Sequence, residues 1–257
     1  MAWNATCECC KAQTLSLTIK TFTTLGLDVY FHRVKRQFEG DPTNHEDFNK
    51  FCEQVDNDAQ NELRNQFDTL LKPLREAWEN AKTNDYWKGI YAERYFHFVE
   101  QIRPLVAGNY DWKIRPYTED GVLELPKLEE MLNKEVEDYY EPYKAYFRKV
   151  NFLFAYFQSK GKMIDEWYAF VDLDDVDDII NKCEQILAAK NGDGWLDEGE
   201  TVEQFAASLL PTQSGFFFGG TDYDEYYFWD VKDCLRQMKK YRNLFKGEGT
   251  GYVIFSW

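Results

Sequence analysis

From Phe48 onward, apolar side chains return every three or four positions: Phe48, Phe51, Cys52, Val55, Ala59, Leu63, Phe67, Leu70 and Leu71. That period is one face of a long amphipathic helix. "GDPTNHEDF" before it supplies a start, with turn and cap chemistry at Pro42 and Thr43 and acids in the first turn. Pro73 is expected to kink or end this helix, with helical pattern resuming through Trp78. "KTNDYW" (Lys82–Trp87) reads as a turn before a second stripe of Ile90, Tyr91, Arg94, Tyr95, Phe98 and Ile102, which closes at Pro104 and Gly108. Residues 108–124 mix Gly, Pro and polar positions and read as a loop or linker. Helical pattern returns at Leu125–Leu132 and is expected to run on, with a break at Pro142, through "YKAYFRKVNFLFAYFQ".

The clearest later helix is "DLDDVDDIINKCEQILAAK", with Asp172 as cap, Asp175 three residues on, and Leu173, Val176, Ile180, Cys183 and Leu187 as its stripe. A last helix is expected to be capped by Thr221 with Asp224 at its third position, and to turn Phe228, Val231, Leu235 and Met238 inward. Residues 11–38 fit both periods. The β-branched content of "TLSLTIKTF" tips residues 15–22 toward strand and leaves helix open. Short strands are also expected at 165–171 and 252–257, paired with each other. The fold class is therefore mainly α, a helical bundle with a small β component. Residues 1–145 form an N-terminal helical region and 146–257 a second α-rich region, with a boundary near 108–124 or 145, or the two packed as one domain.

Charge narrows the partners. Thirty basic against 45 acidic residues give −15, a field that repels phosphate backbones and anionic lipid. Direct nucleic-acid or membrane binding is disfavoured; the charge suits a solvated surface first, or one that approaches a basic protein partner. No apolar run reaches the roughly 18–20 residues that span a bilayer, and "MAWNATCECC" has no signal-peptide pattern, so the expected location is cytoplasmic. Aromatics make up 18% of the chain, an excess that suits interfaces as well as a ring-rich core.

Candidate chemistry is sparse. Cys7, Cys9 and Cys10 are too crowded for a tetrahedral zinc site, and Cys52, Cys183 and Cys234 fall on apolar stripes. No nucleophile–base pattern, P-loop or dinucleotide fingerprint is present, and His32, His45 and His97 are scattered. "AKNGDGWLDEGE" is similar to a calcium loop, with Asn191, Asp193, Asp197 and Glu200 at ligand positions but Ala189 where the first carboxylate belongs. Structural loop and weak calcium site both stay open, and no other cofactor is implied.

One stretch stands apart: "LPTQSGFFFGGTDYDEYYFWD", Leu210–Asp230. Glycines flank three phenylalanines, at least one of which must face solvent or a neighbouring element if the segment is extended. Acids at the following helix start exclude a phosphate cradle. The reading is an aromatic plug at a helix entry that offers a contact surface of Phe217, Asp222, Tyr223, Glu225, Tyr226 and Tyr227.

Together with "RKVNFLFAYFQ" (Arg148–Gln158), this stretch resembles an uncharacterised family of small proteins encoded by bacteriophages and prophages. Those proteins carry an R-K-x-N helix and a terminal L-P-T-x-S-G-F-F-F-G-x-T-x-Y-D-x-x-Y motif. The resemblance covers about residues 146–241. It implies a viral origin and a host-cytoplasm setting, and it carries over no catalytic residue. The expected function is that of a phage accessory protein acting by contact with a host or phage protein. The alternatives are a hydrolase or nucleotide-modifying enzyme using carboxylates and a divalent ion, and a minor virion or assembly component.

Overall fold

The computed structural model describes residues 26–105, 125–194 and 196–257. The strand expected near 15–22, Cys7, Cys9, Cys10 and the whole 108–124 loop lie outside them. The described chain is mainly helical around one four-stranded antiparallel sheet. Strands β1 (Asp28–Val34), β2 (Ala145–Arg148), β3 (Tyr168–Val171) and β4 (Thr250–Ser256) lie in the order β2-β1-β4-β3. The expected pairing of the last two strands is present, Tyr168 opposite Ile254 and Val171 opposite Gly251. The central strand β1 comes from the N-terminal part of the chain, inside the segment whose period was ambiguous.

Alternation along each strand separates two faces. Val29, Phe31, Phe147, Ala169, Val253 and Phe255 point to one side. There they pack against α4 (Asn151–Ser159), α5 (Leu173–Lys190), α6 (Val202–Leu209) and α7 (Glu225–Arg242). Val34, Tyr252, Tyr168 and Phe170 point to the other side, against Phe48, Phe51 and Val55 of α1 (His45–Ala81). At 37 residues and about 1.5 Å per residue, α1 is far longer than the sheet is wide. Its second half leaves the sheet and becomes the spine of an arm with α2 (Asp85–Ile102) and α3 (Leu125–Glu137).

Several local expectations are corrected. Asn44, not Thr43, caps α1, accepting the Glu46 and Asp47 N–H groups. Pro73 neither ends nor breaks the helix, because Leu71, Leu74, Ala77 and Ala81 are held against α2 and α3 on either side of it. The helix expected to continue through residue 158 stops at Glu137. Residues 145–148 become β2, and only Asn151 onward is helical. Tertiary pairing with β1 overrides the local helical pattern there. On α5 the capping box of Asp172 and Asp175 is as expected, but the buried stripe is Val176, Ile179, Cys183 and Ile186, and Leu173 is exposed.

Both sheet edges are partly covered. The Gln237 side-chain amide donates to the Tyr146 carbonyl (2.9 Å), and its oxygen accepts the Tyr146 N–H (3.2 Å). It fills the place of a neighbouring strand at that position. On the far edge Ile164 donates to the Tyr168 carbonyl (2.8 Å), and Met163 bridges Ala169.

Candidate functional site

The two segments that carried the resemblance fold against each other. Asn151, the first residue of α4, is buried. Its side-chain amide donates to the carbonyls of Phe218 (3.2 Å) and Gly220 (2.9 Å), and its oxygen accepts the Gln213 N–H (3.3 Å). One side chain therefore clamps both limbs of the 211–224 loop. The base of the loop is closed by Thr212, whose hydroxyl donates to the Thr221 carbonyl (2.9 Å) and whose N–H reaches the Tyr223 hydroxyl (3.0 Å). Leu27 fixes the tip by donating to the Phe217 carbonyl (2.9 Å). Gly215 is required: a Cβ there would lie 2.6 Å from the Phe218 ring. Gly219 sits at φ +92°, in the left-handed region that favours glycine.

The three phenylalanines divide their duties. Phe218 is buried against Phe154 and Trp257. Phe217 is half-buried, and Phe216 is 93% exposed, stacked edge-on against Phe217 at 4.6 Å.

Asp224 is the N-cap of α7, accepting the Tyr226 and Tyr227 N–H groups, so the helix starts three residues later than a Thr221 cap would place it. Its carboxylate is a better and nearer acceptor for those donors.

Of the expected contact surface, Asp222 and Tyr226 are exposed, Tyr226 at 78%. Glu225 is exposed and paired with Lys190 (2.7 Å). Tyr223 is half-buried with its hydroxyl engaged. Tyr227 is a core residue, 5% exposed, and its hydroxyl donates to the Leu210 carbonyl (2.8 Å). Burial pushes its phenol well above the usual range. Two residues outside that list belong to the outer face. Phe216 is one; Trp229, 75% exposed, is the other. The helical period was the available signal for Trp229, which lies three residues after Tyr226 and off the buried stripe.

Carboxylates converge at the start of α5. Lys162 bonds Asp172 (2.7 Å) and Asp175 (2.5 Å), Lys160 bonds Asp178 (3.0 Å), and the Tyr156 hydroxyl donates to Asp178 (3.0 Å). Lys182 also approaches Asp178 (3.3 Å). Burial works against the Lys162 ammonium, but its bonds to Asp172 and Asp175 outweigh that and raise its pKa. Burial raises Asp175 despite Lys162. Three carboxylates thus meet three lysines, and the network ties the 160–162 turn to the helix start. It borders a groove of about 580 Å³ lined by Phe38, Met163, Phe170, Leu173 and Phe245.

In the calcium-like loop, Asn191 is the C-cap of α5, and Glu200 accepts the Asp197 N–H (3.1 Å). Gly194 packs on the Ala189 backbone, where a Cβ would come within 2.4 Å. Among the described residues no group of three or more His, Cys, Asp or Glu is placed to hold a metal ion. Cys183 and Cys234 are buried and Cys52 half-buried. No helix among the described residues is long and apolar enough to cross a membrane. No family model, curated protein or solved structure matches the chain.

Proposed function

We propose that the chain acts by protein–protein contact, as a phage accessory protein in the cytoplasm of an infected bacterium, with the 211–224 loop as its principal contact element. The observation that carries this reading is Phe216, 93% exposed at the tip of a loop braced by Asn151, Thr212 and Leu27. A phenylalanine left in water forgoes about 2–3 kcal/mol of burial, and within the loop its ring meets only the edge of Phe217 among the described residues. A braced aromatic loses little freedom on binding, which is the property of an interface anchor. Strand addition is a poorer mode, since Gln237 and Ile164 already occupy edge positions. The phage setting rests on the resemblance of residues 146–241.

The test is capture from bacterial lysate with immobilised full chain, identification of retained proteins by mass spectrometry, and titration of each purified candidate. Phe216→Ala is expected to weaken the specific partner at least about tenfold without lowering the melting temperature. Partners held equally by the native chain and Phe216→Ala, or turnover of a small molecule by the purified chain, overturn the reading.

A further inference from the structure

We propose that Tyr226, Trp229 and Asp230 form a receptor for a single cationic side chain, the guanidinium or ammonium of an arginine or lysine in a partner polypeptide. This deepens the contact reading above and rests on it. On a helix a residue neighbours those three and four positions on, so Trp229 and Asp230 flank Tyr226 on either side in the first turns of α7, the two rings exposed and Asp230 half-buried beside them. Two of them are rings at 78% and 75% exposure. Exposed Tyr and Trp faces attract cations through their quadrupoles, Trp most strongly.

The third group supplies the counter-charge. The nearby acids are mostly engaged: Asp224 caps the helix, Glu225 pairs with Lys190, and Asp233 pairs with Arg236 (2.5 Å) and accepts from Gln237. Asp230 is half-buried and has no hydrogen-bond or ion-pair partner among the described residues. Burial raises its pKa, and the carboxylates of Asp233 and Asp224 raise it further. Lys232, two residues on, forms no ion pair among the described residues and is solvent-exposed; burial and the two carboxylates are what raise Asp230. A negative field beside two open aromatic faces is complementary to a cation and repels a phosphate, which separates this site from a base-stacking platform for nucleic acid.

The probe is a fluorescein-labelled hexa-arginine peptide, titrated by anisotropy near physiological salt against the full chain. Because the whole chain is acidic, Glu76→Gln on the exposed side of α1 serves as the charge-matched control. Trp229→Ala and Asp230→Asn are each expected to weaken binding on the order of tenfold, with Trp229→Phe in between and Glu76→Gln under about twofold. Equal effects of Asp230→Asn and Glu76→Gln, full binding by Trp229→Ala, or tighter binding of a labelled oligo-dT by the native chain each overturn the inference. Loss of the peptide result with Phe216-dependent capture intact refutes the cation receptor alone, whereas loss of Phe216 dependence refutes the contact reading itself.

Discussion

In the arm built from the second half of α1 with α2 and α3, the buried set runs from Leu63 to Val136 and is wholly aliphatic or aromatic. Around the sheet, Asp28, His32, Asn151, Asp175 and Thr250 are buried among the apolar groups. The arm is held by stripes of Leu, Phe and Tyr repeating at helical spacing, plus surface pairs such as Arg75–Glu129 (2.6 Å). The sheet half is held by point contacts between residues distant in the chain, among them the Tyr241 hydroxyl on the His32 carbonyl (2.6 Å) and Asn151 on the 211–224 loop. Periodic packing tolerates exchange of similar apolar groups. A buried polar contact does not, since removing one partner strands the other. The 211–224 loop grows from the second kind of structure, which explains why its tip is held in one place.

The most disruptive way to probe this contrast is to open a cavity in each half. Phe31 touches Phe147, Phe157 and Tyr241, and Phe31→Ala is expected to cost about 4 kcal/mol. Leu128→Ala in the arm is expected to cost about 3 kcal/mol. Denaturant titration measures both, and hydrogen exchange locates them. The arm variant should lose amide protection in α2 and α3 while β4 keeps it. Equal loss throughout for both variants means that α1 couples the halves into one cooperative unit.

Acid should act on the sheet half and spare the arm. His32 lies between α1 and the sheet, stacked on Tyr252 at 4.7 Å with Nδ1 unpartnered. Burial first, and the Lys144 ammonium second, push its pKa down to about 3. The unfolded chain protonates this histidine below about 6.5 and the folded chain does not. Stability is therefore full above that value and falls as pH drops toward 3, by up to about 4 kcal/mol.

Asp230 works in the opposite sense. Burial, then Asp233 and Asp224, push it up to about 6. The folded state holds a proton that the unfolded state releases, so this group costs stability as pH rises from about 4 to 6, by about 1 kcal/mol after allowing for its partial exposure. The two slopes oppose each other between about pH 4 and 6. Melting curves of Asp230→Asn should show a steeper acid loss than the native chain, and His32→Phe a shallower one. Parallel curves for all three would remove the pH distinction between the halves.

How much the sequence revealed follows the same division. The arm's stripes at Leu63, Phe67 and Leu71, and at Tyr91, Tyr95, Phe98 and Ile102, are readable because local period and tertiary burial agree. Strands β3 and β4 and the α5 capping box are readable for the same reason. Strand β2 is hidden, because "YKAYFRK" matches a helical period and becomes a strand only through its register with β1. At the candidate site, the aromatic and glycine pattern marks the loop, but it does not tell inward from outward rings. That choice is made by Asn151, more than 60 positions away in the chain for its Gln213, Phe218 and Gly220 bonds. Tyr227 consequently turns into the core and Phe216 away from it.

The smallest expected effect lies at the joint between β2 and α4. Lys149 has φ +60°, and no other non-glycine residue among those described has positive φ; the arm contains none. Left-handed backbone costs a side-chain-bearing residue about 1–2 kcal/mol, yet the geometry is needed to turn an edge strand into a helix that puts Asn151 under the loop. The Lys149 N–H donates to the Leu27 carbonyl (2.6 Å), and its side chain lies against Gly26 and Gly219. Lys149→Gly removes the strain, keeps the backbone bond and gives up that packing, while the unfolded chain gains freedom. The balance is expected to be a gain of under about 1 kcal/mol, visible as a small rise in melting temperature with Phe216-dependent binding unchanged. A loss of stability instead would assign the side chain's packing on the two glycines a larger share than the backbone strain, and would make Lys149 one more of the point contacts on which the sheet half depends.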